Sequence, residues 1–266
     1  MDLQLEGKRA LVTGGSRGIG KAIARALARE GVDLVIAART PQSLEETAAD
    51  LAALTTRKVI PIAADTGVDA SVRALVAGAV VALGGLDILV NCAARPMGQS
   101  APPRLAEVTD AIFYDDVNVK VMGYLRTARE AAPVMAAQGW GRIINVSGLG
   151  ARQTGSIVGS MRNVAVAALT KNLADELGPK GINVTVVHPG LTRTEATAGV
   201  TQRLASASGG SPSDIEARWS ANISIGRIVD AQEVADVVAF LASPRSVAIN
   251  GDAIACGGGG RGSIHY

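Results

Sequence analysis

The sequence has few of the residues from which many binding and catalytic sites are built. Among its 266 residues, aromatic side chains make up 3%, and there are two histidines and two cysteines. Cys92 and Cys256 lack the spacing of metal ligands, and two cysteines are too few for a disulfide-rich secreted scaffold. Two reduced thiols are the simplest interpretation, and a single bridge between them is the alternative. We expect no metal site.

An excess of charge of either sign is also absent. Lys and Arg number 26 against 24 Asp and Glu, and the basic residues are spread along the chain. The most apolar stretch, 74–86, contains glycine and is shorter than the roughly 20 residues that span a bilayer. The start, "MDLQLEGKRA", lacks the apolar core of a secretory signal. The sequence therefore predicts a small-molecule substrate, no nucleic acid, no membrane and a cytoplasmic location.

What the sequence does contain is a regular alternation of two kinds of segment. Alanine-rich helical stretches alternate with short β-branched runs, which lie at 10–14, 33–38, 59–65, 86–91, 142–147 and 182–188. A last strand is predicted for "DAIAC". This pattern predicts an α/β fold of the Rossmann type, a doubly wound parallel sheet with helices on both faces. Because no linker divides the chain, we expect a single domain over 1–266.

The segment 195–222 departs from this alternation. It is rich in Ser, Gly and Thr, as in "ASASGGSPSD", and it follows the end of a predicted strand. Long loops in compact domains are commonly functional. We therefore predict a mobile substrate flap over 195–222, and a disordered surface insertion is the alternative for its middle part.

A glycine-rich turn joins the first predicted strand to the first predicted helix. In "VTGGSRGIGKAIA", at 12–24, the glycines allow a tight turn and a close approach of the backbone to a pyrophosphate. A strand before the turn and an amphipathic helix after it form the context in which this motif binds a dinucleotide. We assign cofactor binding in this turn to Gly14, Ser16, Arg17, Gly18, Ile19 and Gly20.

The end of the second predicted strand indicates which dinucleotide binds. An acidic residue there would hydrogen-bond the ribose of NAD, but the sequence reads "IAART". Arg39, with Arg17 and Thr40, is placed to bind the extra phosphate of NADP through charge-assisted hydrogen bonds. The alternative is that both arginines are solvated loop residues. We expect NADP(H) in preference to NAD(H).

Further motifs carry a resemblance to a known family. They occur in order over nearly the whole chain: "TGGSRGIG", "AAD" ending at Asp65, "NCAA" from Asn91, "VNVK" with Asn118, "INVSG" with Ser147, and "HPG" from His188. In these motifs the sequence resembles the short-chain dehydrogenase/reductase family, whose members are Rossmann-type oxidoreductases. One small departure is Ala94, where the family usually has glycine.

The resemblance implies roles for residues outside the glycine turn. Asp65 would contact the adenine ring. Asn91 and Ala93 would lie beside the cofactor at the end of the fourth strand. The family's loop around the nicotinamide carboxamide corresponds to Pro189, Gly190 and Thr194.

The family's usual proton donor is the main departure from the resemblance. Members typically use Ser, Tyr and Lys together, with an Asn that holds a water relay, and the lysine lowers the pKa of the tyrosine. Aligning "NVAVAALTKNLADELG" on the family's helix puts Gly159 at the tyrosine and Asn163 at the lysine. Gly148 stands at the usual serine position, directly after Ser147. The residues left for catalytic roles are Asn118, Ser147 and Asn163.

A shift of register does not restore the missing pair. The tyrosines are Tyr114, Tyr124 and Tyr266, all far from this helix in sequence. The nearest downstream lysine, Lys171, follows Asn163 by about 12 Å along a helix with a rise of 1.5 Å per residue. We interpret Lys171 as a solvated helix residue.

Other side chains are weaker substitutes for the missing acid. Ser156 and Ser160 offer hydroxyls, and Arg152 could polarise a substrate oxygen or bind a carboxylate. Arg162 lies about 100° around the helix from the lysine position and would point elsewhere. His188 could transfer a proton at neutral pH, although a histidine before a Pro-Gly turn is more often satisfied by backbone groups.

Three functions are compatible with these residues. The leading hypothesis is an NADP(H)-dependent oxidoreductase for a carbonyl or alcohol substrate, with a non-standard catalytic centre. The runner-up is a catalytically inactive dinucleotide-binding protein, acting as a sensor or as a partner of an active homologue. The third is an enzyme of the same fold that catalyses a lyase or isomerase step.

Assembly into a homotetramer or homodimer is also expected. The helical stretches "GYLRTAREAAPVMAAQ" and "VAVAALTKNLADELG" resemble those that form subunit contacts in the family. The chain ends in His265 and Tyr266, and one hypothesis, based on position alone, is that this tail reaches the site of a neighbouring subunit.

Overall fold

The computed structural model describes residues 1–95 and 102–261, and a parallel sheet forms its centre. The strands are β1 (Arg9–Thr13), β2 (Asp33–Ala38), β3 (Val59–Ala63), β4 (Ile88–Asn91), β5 (Gly141–Val146), β6 (Ile182–Pro189), β7 (Thr192–Arg193), β8 (Val229–Asp230) and β9 (Ala253–Cys256). Seven of them form the sheet in the order β3-β2-β1-β4-β5-β6-β9, with parallel pairing throughout, while β7 pairs with β8. The predicted fold class is confirmed. The order reverses between β1 and β4, where such sheets bind ligands beyond the strand ends.

Helices connect these strands across both faces of the sheet. They are α1 (Gly18–Arg29), α2 (Pro41–Ala52), α3 (Asp69–Leu83), α4 (Asp110–Val117), α5 (Gly123–Gln138), α6 (Ile157–Leu177), α7 (Thr197–Ser208), α8 (Pro212–Ser220) and α9 (Ala231–Ala242). A π-helical segment, Asn118–Met122, joins α4 to α5 without a break. Short 3-10 turns lie at Leu105–Glu107, Leu149–Ala151, Gly178–Lys180 and Pro244–Ser246.

The core divides into two layers because neighbouring strand residues point to opposite faces. On β1, Leu11 packs in the layer under α3 and α5, whereas Val12 packs in the layer under α1 and α9. Leu89 and Val90 on β4 divide in the same way. Strands buried on both faces have continuous apolar runs, which is why the β-branched runs marked the strands in the sequence.

The segment predicted as a flap contains α7 and α8. Gly209, with φ +70°, ends α7, and the Ser211 hydroxyl accepts a hydrogen bond from the Asp214 N–H at 3.2 Å at the start of α8. Buried contacts come from Ala205 and Ile215. The Ser/Gly-rich middle is therefore the turn of a helical hairpin, and its composition reflects capping residues.

Within the described ranges, no helix is both long and apolar enough to cross a membrane. No group of three or more metal-binding side chains occurs in the same ranges. The predicted contribution of His265 and Tyr266 concerns residues outside the described part of the chain.

Candidate active site

The glycine turn lies at the carboxyl end of β1, where the backbone packs closely. Gly14 has φ +70°, a conformation that favours glycine, and a Cβ there would lie 2.9 Å from the backbone of Cys92 and Ala93. A Cβ on Gly20 would lie 2.2 Å from the carbonyl oxygen of Gly14. Side chains at these positions would force the backbone of the glycine turn to move.

A cleft opens beside this turn, and we call it the glycine-turn cleft. Its volume of about 420 Å³ is in the range of roughly 300–1,000 Å³ typical of ligand pockets. Most of the residues predicted to bind a cofactor line it: Gly14, Ser16, Arg17, Ile19, Gly20, Arg39, Asp65, Ala93 and Thr194. The fold thus brings the ends of four strands and the loop after β6 to one edge of the sheet.

The β2 side of the glycine-turn cleft carries groups that suit a phosphate. Arg17 and Arg39 are exposed there, and Thr40 and Ser43 add hydroxyl groups. Asp65 lies across the cleft at the end of β3, where its Oδ1 accepts a hydrogen bond from a backbone N–H two residues on at 2.8 Å. The cations and this carboxylate therefore occupy different sides of the cleft.

Three other predicted cofactor residues lie next to the cleft. Gly18 begins α1, and its N–H donates a hydrogen bond to Oε1 of Glu195 at 2.7 Å. A side chain from the predicted flap therefore caps the first turn of α1. Pro189 ends β6 and Gly190 follows it, where a Cβ would lie 2.8 Å from the Cα of Gly257.

Asn91 ends β4 with its side chain fully buried. Its Nδ2 donates to Oδ1 of Asn145 at 3.0 Å, and its Oδ1 accepts from the Thr127 hydroxyl at 2.7 Å. The side chain thus joins β4 to β5 and α5, and it does not line the glycine-turn cleft. In this structure Asn91 holds the strand ends beside the cleft.

Asn118 begins the π-helical segment. Its Nδ2 donates to the carbonyl oxygen of Gly67 at 3.0 Å, and its Oδ1 accepts from Arg126 at 2.8 Å. Single π-helical turns inside α-helices occur frequently at functional sites. These bonds tie the distorted turn to the loop after β3, so Asn118 sets the path of the α4–α5 helix.

Ser147 and Asn163, also predicted as catalytic residues, meet at the carboxyl end of β5. The Ser147 hydroxyl donates to the Asn163 carbonyl oxygen at 3.1 Å and lies 3.3 Å from its Oδ1. A Cβ on Gly148 or Gly150 would lie 3.1 or 3.0 Å from Asn163 Nδ2. The amide nitrogen of Asn163 therefore faces the loop that follows β5.

A buried lysine that the sequence interpretation missed completes this group. Lys120 is 4% exposed, and its Nζ donates to the Ser147 carbonyl oxygen at 2.8 Å and to Asn163 Oδ1 at 3.2 Å. Burial, together with the charge of Arg162, lowers the pKa of Lys120 to about 7. Its only signal in the sequence was its place two residues after Asn118, on the same helical segment.

His188 lies on β6 with its imidazole buried. Its Nδ1 accepts a hydrogen bond from the Gly148 N–H at 3.4 Å. Burial lowers its pKa to about 4, and the positive charges of Arg152 and Lys120 act in the same direction. The imidazole is therefore neutral at pH 7. We use the name buried cluster for four residues: Lys120, Ser147, Asn163 and His188.

The other serines proposed as substitutes have partners within the protein. Ser156 caps α6, because its hydroxyl accepts a hydrogen bond from the Gly159 N–H at 3.0 Å. The Ser160 hydroxyl donates to the carbonyl oxygen of Gln153 at 2.9 Å. Both hydroxyls stabilise the start of α6 and the loop before it.

The nearby cations also have defined partners. Arg152 donates to the carbonyl oxygen of Ala253 at 3.0 Å. Arg162, 2% exposed, donates to both carboxylate oxygens of Asp116 on α4 at 2.6 and 2.7 Å. Lys171 is exposed and pairs with an aspartate one turn along α6.

The tyrosines of the described ranges lie outside the buried cluster. Tyr114 is exposed on α4. Tyr124 is buried on α5, where its hydroxyl donates to the carbonyl oxygen of Val146 at 2.9 Å and burial raises its pKa well above 10. Tyr266 lies outside the described residues.

Comparison with known proteins agrees with this geometry. Residues 14–260 match the family model described as enoyl-(acyl carrier protein) reductase. The short-chain reductase protein NovJ of Streptomyces niveus is 34% identical over 253 residues, which cover 94% of this chain and 92% of NovJ.

Two solved structures share the whole architecture. L-sorbose reductase from Gluconobacter frateurii, crystallised with NADPH and L-sorbose, has a TM-score of 0.93 and 30% identity, covering 99% of this chain and 100% of the reductase. A short chain dehydrogenase from Burkholderia cenocepacia, in complex with NADP, has a TM-score of 0.81 and 34% identity, covering 96% and 98% of the two chains. The family match spans most of the chain, and the relatives extend over nearly all of it. The chain therefore belongs to the short-chain dehydrogenase/reductase family.

Proposed function

We propose that this protein is an NADP(H)-dependent oxidoreductase that acts on a carbonyl or alcohol group of a small molecule. The observation that carries the proposal is the placement of Arg17 and Arg39 on the β2 side of the glycine-turn cleft, where an NAD-binding chain would carry an acid. The similarity to reductases crystallised with NADPH or NADP supports the same cofactor. NAD(H) would leave both cations without a phosphate.

The residues of the cleft fit this cofactor. The backbone of the turn, held close by Gly14 and Gly20, would place the pyrophosphate at the start of α1. Arg17 and Arg39 would bind the extra phosphate, and Asp65 would contact the adenine. The nicotinamide end would lie near Pro189, Gly190 and Thr194. When bound, the cofactor supplies or accepts a hydride.

We further propose that the catalytic centre is non-standard, with Gly159 and Asn163 at the positions of the family's tyrosine and lysine. Gly159 lies in the first turn of α6 and Asn163 one turn later, so the two positions share one face of the helix. In this centre Ser147 and Asn163 would orient the substrate and the ribose, and Asn118 would hold the helix path. General acid catalysis is typically worth about 10²–10⁴ in rate, so its loss slows hydride transfer without forbidding it.

A second candidate is a catalytically inactive dinucleotide-binding protein. The observation that favours it is the internal bonding of the buried cluster. The Ser147 hydroxyl bonds to Asn163, and His188 is neutral and bonded to the backbone. In this hypothesis the glycine-turn cleft still binds NADP(H), but substrate reduction does not follow.

Cofactor titration is the first test. NADPH and NADH are added separately to the purified protein while the fluorescence of the reduced nicotinamide is followed. We expect tight binding of NADPH and weaker binding of NADH. Turnover of a panel of ketones and aldehydes, measured by loss of NADPH absorbance, then favours the oxidoreductase; binding without turnover favours the inactive protein. Absence of binding by either cofactor contradicts both.

We propose that residues 1–266 act as one domain and that 195–222 is a mobile flap. The bond from the Gly18 N–H to Glu195 supports a link between this segment and the glycine turn. Limited proteolysis with and without NADPH tests the proposal. We expect cleavage within 195–222, slowed by the cofactor.

We also propose a homodimer or homotetramer that uses α5 and α6. Three large apolar residues of α6 are exposed at helical spacing, which supports a second copy of this chain as the partner: Ile157, Met161 and Val164. Light scattering after size-exclusion chromatography tests the assembly. Val164→Glu should reduce the molar mass, whereas a monomeric wild-type protein would contradict the proposal.

A further inference from the structure

The most unusual charged group in the described structure is the ammonium of Lys120. Lysine is almost never fully buried unless it is paired, because leaving water disfavours its charged form. Both hydrogen-bond acceptors of Lys120 Nζ are neutral: the Ser147 carbonyl oxygen and Asn163 Oδ1. Within the described ranges, no carboxylate lies within ion-pair distance of this nitrogen.

The charged and titratable groups around Lys120 come from every element packed against it. Asp116 on α4 contributes negative charge near Lys120, but both of its oxygens bind Arg162 on α6. Two further titratable groups interact electrostatically with Lys120: Cys92 after β4 and His188 on β6. The ammonium therefore has no direct carboxylate partner among the described residues.

Lys120 contacts residues that are predicted to be catalytic. Its Nζ and the Ser147 hydroxyl both reach Oδ1 of Asn163, at 3.2 and 3.3 Å. With the amide oxygen held from one side, the amide nitrogen faces the loop at Gly148 and Gly150. An ammonium thus stands directly behind the amide at the position where the resemblance places the family's lysine.

We propose that Lys120 supplies the positive charge of the active site and acts as a positioning residue through Asn163. Lys120 belongs to the helix that follows β4, so the charge enters the site from a different element than the family pattern implies. This inference rests on the proposed function, because it assumes that a nicotinamide cofactor binds beside the buried cluster. A proton is held at Nζ in the charged form and is released to solvent in the neutral form.

The two redox states of the cofactor differ in their electrostatic interaction with the Lys120 charge. Oxidised nicotinamide carries one positive charge that the reduced ring lacks, and both states carry the same phosphates. Protonated Lys120 should therefore weaken NADP⁺ binding relative to NADPH. Because the pKa of Lys120 is lowered to about 7, this penalty should be present below pH 7 and lost as the pH rises above it.

The test measures the ratio of the dissociation constants of NADP⁺ and NADPH between pH 6 and 9. NADPH is titrated by fluorescence, and NADP⁺ by competition. We expect the wild-type ratio to fall about threefold or more over this range, since unit charges roughly 10 Å apart interact appreciably at protein dielectric values. In the same range Cys92 and His188 do not titrate, because burial raises the pKa of Cys92 to about 11 and lowers that of His188 to about 4.

Three variants separate charge from structure. Lys120→Met should show a flat ratio close to the wild-type value at pH 9. Lys120→Arg, which keeps its charge throughout, should show a flat ratio close to the wild-type value at pH 6. Lys171→Met removes an exposed lysine of α6 and should retain the wild-type profile. If Lys120→Met fails to fold, the arginine variant and the ¹³Cε chemical shift of Lys120 in the wild-type protein report the same titration.

The experiment distinguishes failure of the Lys120 role from failure of the proposed function. Binding of both cofactors with a wild-type ratio that does not change with pH overturns the role of Lys120 and leaves the cofactor assignment intact. A pH-dependent ratio that persists in Lys120→Met also overturns the role of Lys120 and leaves the cofactor assignment intact. A wild-type protein that binds neither cofactor overturns the proposed function, and the role of Lys120 with it.

Discussion

The glycine-turn cleft and the buried cluster lie at the same edge of one sheet but are built differently. The cleft depends on backbone geometry at Gly14 and Gly20, and its cations, Arg17 and Arg39, are exposed. The buried cluster depends on side chains, and its cation, Lys120, is enclosed by neutral partners. Exposed cations are accessible to an anion from solution, whereas an enclosed cation sets the electrostatic potential of its surroundings.

This difference affects how each region tolerates change. In the cleft, an arginine can be removed without leaving a charge buried. Around the cluster, Arg162 and Asp116 form an ion pair beside Lys120, so removal of either side chain leaves the other without its partner away from water.

The largest effect on stability is expected when one side chain of the buried ion pair is removed. Arg162→Met leaves the Asp116 carboxylate partly buried without its partner and should lower the free energy of unfolding by about 3–5 kcal/mol. Lys171→Met, on the same helix, breaks an exposed pair and should cost less than about 0.5 kcal/mol. Urea denaturation measures both. Equal losses in the two variants would contradict the role assigned to the buried pair.

The next effect concerns the backbone of the cleft. Gly20→Ala places a Cβ 2.2 Å from the Gly14 carbonyl oxygen, so the turn must move; we expect a loss of about 3 kcal/mol in stability together with loss of NADPH binding. Gly78→Ala is the matched control, because a Cβ there meets only Ile62 Cδ1 at 3.5 Å within α3. That control should keep NADPH binding and gain stability slightly. NADPH binding at wild-type strength in Gly20→Ala would contradict the assignment of the turn.

The same contrast explains which features of the fold and the site the sequence alone predicts. The glycine turn and strand ends were predictable because they depend on local spacing: "TGGSRGIG" and the apolar runs of β1 to β6 carry their own signals. Lys120 was missed because its burial arises only when the α4–α5 helix packs against the end of β5. A lysine in a helix is otherwise interpreted as solvated.

Two other features show the limits of local interpretation. The Ser/Gly-rich composition of 195–222 left open a disordered insertion for the middle of this segment, but Gly209 and Ser211 there are the cap residues of two helices. Asn91 was placed correctly at the end of β4, yet its bonds to Asn145 and Thr127 depend on pairing across the sheet. Position follows from sequence spacing, whereas the partners of a side chain follow from tertiary packing.

A smaller effect is expected from the exposed arginines. Arg39→Ala should remove charge-assisted hydrogen bonds worth about 1.5–3 kcal/mol, which corresponds to roughly 10- to 100-fold weaker NADPH binding. NADH binding should not change, because NADH lacks the extra phosphate. Arg29→Ala, an exposed arginine at the far end of α1, is the control and should alter neither. Equal losses of NADPH and NADH affinity in Arg39→Ala would contradict the phosphate-binding role.

The smallest effect is a pH dependence of stability that originates at His188. Its pKa is lowered from 6.5 to about 4 in the folded protein, so the unfolded chain binds more protons between these values. Stability from this group is therefore complete above pH 6.5 and is lost as the pH falls toward 4. His188→Asn keeps a hydrogen-bond acceptor for the Gly148 N–H but cannot titrate. Urea midpoints at pH 7 and pH 4.5 should therefore fall less in the variant than in the wild-type protein. Carboxylates that titrate below pH 5 act equally in both proteins, so an identical fall would show that His188 is not the group responsible.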